Sequence, residues 1–403
     1  MNIKKKKLGD IATIIDGDRG NNYPKQNEFS PSGYCLFLNA GNVTANGFVF
    51  DDNSYITQEK DALLRKGRLS RGDIVYTTRG TIGNVAYYSN TIPYEHLRIN
   101  SGMVILRVNV VEANAAFLYQ YLKSAKVREY FLSFKTGSAQ PQLPIKNFSA
   151  IEIDLPDLPT QHRIASILSA YDDLIENNRR QIKLLEEAAQ RLYREWFVEL
   201  RFPGHEGVKV VDGVPEGWKK GIFDDICIVK KDALTPDKIS PGIPYIGLEH
   251  IPRNDFCLAD WGMSEEVNSN KFRFSAGDIL FGKIRPYFHK VGFTICNGIC
   301  STDSIVMNAN DEYYCLLLMT ASSDEFVDYT YQTCKEGAKM PRADWNTMRM
   351  YPVLIPDSVL LRRFNKQISA IKDKCTVLAL QNRQLTEVRD RLLPKLMSGE
   401  MEV

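Results

Sequence analysis

The chain is 403 residues long, 44% hydrophobic and 25% charged, an ordinary globular composition with room for two or three domains. With 51 Lys and Arg against 49 Asp and Glu the net charge is only +2, so any nucleic-acid surface must come from local clustering and not from bulk charge. No apolar run approaches the ~18 residues of a membrane span, and Gly9, Asp10 and Asp16 interrupt the stretch after Lys4–Lys7 too early for a secretory signal. The expectation is therefore a cytoplasmic protein with no membrane contact.

In chain order, Lys4–Lys7 reads as a solvated basic arm. Short β-like runs separated by Gly, Pro and Asn follow at 11–15, 34–38, 74–77, 85–88 and 103–108. A helical stretch at 115–131, a loop, and a strand at 150–155 complete a first globular copy. Beyond Pro156 the period changes. Ile164, Leu168, Tyr171, Ile175, Asn178, Ile182, Leu185, Ala189, Leu192 and Trp196 recur at spacings alternating four and three, which is a heptad seam. The plan then repeats: strands at 226–229, 279–281, 290–295 and 304–307, a helical stretch at 313–329, a strand at 348–355 and a second long helix.

The repetition is an internal duplication with an offset of 200. Gly137, Pro141 and Pro156 recur as Gly337, Pro341 and Pro356, and Leu69–Gly80 (LSRGDIVYTTRG) resembles Phe274–Arg285 (FSAGDILFGKIR). The seam recurs at Phe364, Ile368, Ile371, Cys375, Leu378, Asn382, Leu385, Arg389, Leu392 and Leu396, with Arg389 its one charged member. The end of the first helix leads into the second copy, so an antiparallel helix pair is expected, with partners whose numbers sum to about 560. That register sets Asn178 opposite Asn382, a polar pair able to fix the alignment of a coiled coil.

The expected fold is α+β: two duplicated domains separated by two long helices in an antiparallel coiled coil with pseudo-twofold symmetry. The domains are 1–156 and 203–356, the helices 157–202 and 357–403. Helices of ~35 residues reach roughly 50 Å, which is about 15 base pairs of duplex. Two readers so separated suit a bipartite site with an unread gap.

The chemistry of an enzyme is missing. There is no GxxxxGK[ST] loop, no GxGxxG opening a helix, no Asn/Asp-Pro-Pro-aromatic methyltransferase motif and no HExxH. The five histidines have no nucleophile partner, and Asp73 and Asp278 follow Gly as turn residues. The eight scattered cysteines read as free thiols, with no metal-ligand spacing.

At Leu155–Phe197 (LPDLPTQHRIASILSAYDDLIENNRRQIKLLEEAAQRLYREWF) and Gln381–Glu400 (QNRQLTEVRDRLLPKLMSGE) the chain resembles the specificity subunits of type I restriction–modification systems, and the resemblance extends over essentially its whole length. It implies a non-catalytic, sequence-specific DNA-binding subunit. Each globular copy would be a target-recognition domain reading one half of a bipartite site in double-stranded DNA. The helices would dock two methylating (M) subunits, and restriction (R) subunits would complete the complex. No cofactor would sit on this chain; S-adenosylmethionine, ATP and Mg would belong to the partners.

Major-groove reading favours Arg, Lys, Asn, Gln, Ser and Thr on projecting loops. The candidates are Arg19, Asn21, Asn22, Tyr23, Thr78, Arg79, Thr81, Lys135, Ser138, Gln140 and Gln142 in the first copy. In the second they are Lys283, Arg285, Tyr287, His289, Lys290, Lys335, Lys339 and Arg342. Glu186, Glu187, Arg191 and Arg194 are expected on exposed helix faces suited to protein docking. A duplicated scaffold binding protein or carbohydrate through the same loops is the alternative, distinguished by an absence of salt-sensitive DNA affinity.

Overall fold

Why the short apolar runs become strands is visible at Ile74–Thr77, whose four residues are all buried and whose start is fixed by a Gly72–Asp73 turn. In this computed structural model, which describes residues 3–132, 143–334 and 339–402, the chain divides into two units. One comprises residues 1–173 and 385–403, the other 174–384.

In the first unit an antiparallel sheet runs Ala12–Asp16, Met103–Val108, Ile74–Thr77, Val85–Tyr87. A smaller sheet pairs Cys35–Leu38 with Tyr55–Ile56 and, in parallel, with Leu97–Ile99. Lys4–Lys7 is solvated, with Lys4, Lys5 and Lys7 exposed, but it is not a free arm. It is a strand, antiparallel to Glu152–Leu155, and two of its charges meet acidic neighbours, with Lys5 3.9 Å from Glu152 and Lys6 paired to Glu112. Pairing with a complementary strand replaces the alternation that a run of four lysines lacks.

The second unit repeats the plan. Ile228–Lys230, Ser304–Asn308, Ile279–Gly282 and Val291–Thr294 lie in the same antiparallel order, extended by Cys257–Leu258. Lys219–Ile222 pairs with Pro352–Ile355 as Lys4–Lys7 does with Glu152–Leu155. A second sheet of five short strands is built around Lys271–Phe274 and Gly298–Ser301.

The same side chains terminate the same elements in both units. Asp73 accepts the Ser70 amide at 2.7 Å and two bonds from Arg107. Asp278 accepts the Ser275 amide at 2.8 Å and is met by Lys230 and Asn308. Both aspartates are buried, so the charge is tolerated only because it is paired. The helical stretches break in two at a serine: Ser124 separates Ala115–Lys123 from Ala125–Leu132, and Ser323 caps Asp324–Gln332 by accepting the Phe326 amide at 3.2 Å. Ahead of the final strands stand short helices, Ile145–Ser149 and Trp345–Met348, where the expected strand at 348–355 begins late.

The long helices run from Leu158 to Tyr193, continuing as a wider turn to Val198, and from Ser358 to Ser398. None of the twenty seam positions is exposed. In the first unit Ile164 and Leu168 share a core with Leu393, Leu396 and Met397. There Asp172 accepts Arg389 at 2.5 Å and Gln120 at 2.6 Å, with Lys123 at 3.3 Å. The one charged seam residue is thus neutralised by a carboxylate beside the seam. Gln161 ties the helix start to its domain, accepting the Asn114 amide and donating to Pro156 O, both at 2.8 Å.

In the second unit Ala189, Trp196, Phe197, Phe364, Ile368 and Cys375 share one core, and Trp196 packs on Phe364 at 5.7 Å between ring centroids. Asn178 is buried there, and the amide oxygen of Asn382 is buried without a hydrogen-bond partner. Glu186, expected on an exposed face, is 3% exposed. Its carboxylate accepts the amides of Phe256 (2.9 Å) and Cys257 (2.7 Å), because this part of the helix is covered by the domain it packs on. Among the described residues no helix is long and apolar enough to cross a membrane.

Candidate nucleic-acid interface

The strand Ile74–Thr77 ends in Thr78 and Arg79, whose amides both donate to Gly102 O, at 2.8 and 3.1 Å. Thr78 O accepts the amide of Leu143, the first described residue after 133–142. Arg19 reaches the same turn from another loop, donating to Ser101 O at 3.3 Å while paired to Asp16 at 3.2 Å. Residues far apart in sequence thus converge on the 100–102 turn. Arg79 is half-buried, and its Nε is buried without a partner.

The second unit builds the counterpart. Lys283 donates its amide to Asp303 O, its carbonyl accepts the Ala343 amide, and Arg285 donates to Pro341 O, all at 2.8 to 2.9 Å. Arg342 pairs with the Asp303 carboxylate. The Nε of Arg285, like that of Arg79, is buried and unpartnered. An orphaned donor on a buried guanidinium costs free energy unless something else meets it. Arg285 has φ +52°, in the left-handed region that Gly80 (φ +72°) occupies at the aligned position, and His289 has φ +50°. Side chains other than Gly rarely hold this conformation.

The other candidates divide by what they already touch. Thr78 is buried with its hydroxyl on Gly102 O. Tyr23 packs edge-on against Phe37 at 5.6 Å, and Asn22 donates to Leu63 O. Lys290 donates to Leu248 O, and burial followed by the charge of Arg253 lowers its pKa. Burial and then Arg342 lower that of Lys283. His289 Nε2 contacts Ser322 O at 2.9 Å, with Nδ1 3.3 Å from Asp324. Tyr287 is exposed and packs on Phe288 and Tyr331. Asn21, Thr81 and Lys339 are exposed. Lys135, Ser138, Gln140, Gln142 and Lys335 lie outside the described residues.

A family model described as the type I restriction modification DNA specificity domain matches residues 1–187. The chain is 27% identical over 354 residues to the type I restriction enzyme MjaIX specificity subunit of Methanocaldococcus jannaschii, covering 83% of this chain and 78% of that one. It is 23% identical over 456 residues to the type I restriction enzyme HindI specificity subunit of Haemophilus influenzae, covering 96% and 98%. The fold resembles that of the crystal structure of a type I restriction–modification S subunit from M. genitalium, with TM-score 0.57 and 16% identity over 98% of this chain and 96% of that chain.

Residues 1–187 thus match the type I restriction modification DNA specificity domain, and the chain is similar to type I restriction specificity subunits over most of its length. Such a subunit is non-catalytic; it acts with DNA and directs methyltransferase and endonuclease partners. All eight cysteines are free, and burial pushes the thiols of Cys35, Cys227, Cys300 and Cys375 up to about 12, so these four stay protonated at neutral pH. Among the described residues no cluster of His, Cys, Asp and Glu could hold a metal. Sequence reading missed the 100–102 turn, Asp303 and Arg253. Gly102 and Asp303 each precede a predicted strand, and that position was the available signal; Arg253 had none.

Proposed function

We propose that residues 1–156 and 203–356 are target-recognition domains, each reading one half of a bipartite DNA target in the major groove. The paired helices then form an antiparallel coiled coil that sets the spacing, with Asn178 and Asn382 fixing its register. They dock two M subunits, to which R subunits are added, in the cytoplasm. The observation that carries the reading is the matched pair Arg79 and Arg285. Each follows the same strand of a duplicated sheet, each lies beside the segment resuming after the duplicated Gly-Pro loop, and each keeps a buried Nε unpaired. A guanidinium held this way suits the O6/N7 edge of guanine.

The test assembles the chain with its M subunits and measures binding to a duplex carrying the target and to duplexes altered in one half. Arg79→Ala and Arg285→Ala should each weaken target binding by about 1–3 kcal/mol and relax discrimination in one half only. Affinity should fall steeply with salt as phosphate contacts release counterions. Unchanged binding by both variants, or salt-insensitive affinity, would refute it.

A further inference from the structure

Of the basic side chains around the loop 283–290, most are already committed: Arg342 to Asp303, Lys290 to Leu248 O, His289 to Ser322 and Asp324. Two remain. Arg253, from a different loop, is exposed and lays its guanidinium over the Phe288 ring at 3.9 Å from the centroid. Arg285 approaches the same ring at 5.8 Å. Among the described residues neither has a salt-bridge partner. The two loops are locked together, since the Asn254 amide donates to His289 O at 3.1 Å, with Asn254 itself left-handed at φ +64°. Asparagine tolerates that conformation better than most residues.

A cation stacked on an aromatic ring does not by itself imply a ligand. Arg71 lies 4.2 Å from the Tyr88 centroid in the first unit, but its guanidinium is spent on the carbonyls of Ser89, Ile92 and Tyr94. Arg253 has the stacking without the carbonyls. Two guanidiniums sharing one ring repel each other, and the rigid loops that hold them there are favoured when an anion sits against them.

We propose that Arg253 is a backbone-phosphate contact of the second recognition domain, held by Phe288 next to Arg285 so that one residue grips the strand while the other reads a base. The assignment rests on the DNA-reading function proposed above. A phosphate contact adds affinity without sequence information, so Arg253 and Arg285 should fail differently when removed.

The measurement is binding of the assembled complex with M subunits to a target duplex and to an unrelated duplex, across a salt series. Arg253→Ala should weaken both about equally, roughly tenfold at moderate salt, and reduce the log–log salt slope by about one. The ratio of target to unrelated affinity should persist, and Arg253→Lys should recover part of the loss. Arg285→Ala should instead lower that ratio. Tryptophan fluorescence confirms that the variant folds. An unchanged slope with affinity within twofold of wild type would overturn the Arg253 assignment alone, as would a loss restricted to the target duplex, which would make Arg253 a base reader. Wild-type binding without salt dependence would bring down this inference together with the broader function.

Discussion

Replacing Glu186 by Gln should make the second unit more stable in alkali and leave it unchanged in mild acid. Burial, reinforced by the charge of Asp255, raises the Glu186 pKa from 4.5 to about 8. The folded state therefore keeps a proton that the unfolded chain releases above pH 4.5, and stability declines with rising pH until about 8. At ~1.36 kcal/mol per unit the full effect is about 5 kcal/mol. Gln keeps an acceptor oxygen for the amides of Phe256 and Cys257 but does not titrate. Wild type and Glu186→Gln should match near pH 5 and separate by several kcal/mol near pH 8.5, on the order of that shift. Urea unfolding reports this cleanly, because Trp196, Trp218, Trp261 and Trp345 all lie in residues 174–384. Glu186→Leu should be destabilised at every pH, since it leaves two buried amides unpaired. A Glu186→Gln variant that follows the wild-type pH curve, or unfolds more easily than wild type at pH 8.5, would refute the raised pKa of Glu186.

Three further outcomes are expected. Asp172→Asn strands Lys123 and leaves Arg389 only its exposed neighbour Asp390, and should cost about 3–5 kcal/mol, measured by circular dichroism on unfolding. Burial alone would raise the Asp172 pKa, but Lys123 and Arg389 hold it below the ordinary value. The contribution is thus present above the unfolded pKa and lost as pH falls through the lower folded one, and the variant should lack that acid limb. Asn382→Leu removes a buried unpaired amide oxygen and should raise the urea midpoint by about 1–2 kcal/mol equivalent, whereas a lower midpoint would show that the amide has a partner. Arg285→Gly relieves a left-handed side chain and should be more stable than Arg285→Ala by about 1 kcal/mol, with the two variants equal in DNA binding; equal melting would remove the strain.

What the sequence made legible were features with a fixed local period. The seam is legible because a spacing of 3.5 keeps its positions on one face; nineteen of the twenty are apolar or amide-bearing, Arg389 being the exception, and none is exposed. Strands such as Ile74–Thr77 and Met103–Val108 are bounded by residues that force turns, so their limits agree. Glu186 was not legible, because its burial depends on where Phe256 and Cys257 fall, seventy residues away. The pairing of Lys4–Lys7 depends on Glu152–Leu155 in the same way. Within the candidate site, Arg79 and Arg285 carried a sequence signal through their place after a duplicated strand; Arg253 did not, since its role comes from packing on Phe288.

The duplication also separates frame from reader. Asp73 and Asp278 recur in both copies and do the same structural work, each closing a turn and neutralising a neighbouring strand. The surface positions beside them do not recur. Arg79 aligns with Ile284, Gly80 with Arg285, and the turn residue Gly102 with Asp303, which holds Arg342. Both copies present an arginine, but the second does so one position later, where the backbone must be left-handed. Holding Arg285 there costs about 1–2 kcal/mol of backbone strain, at a position where the first copy has Gly80. If the two domains read DNA as proposed, the same scaffold with differently placed side chains reads different sequences, so the two halves of the proposed target should differ from each other.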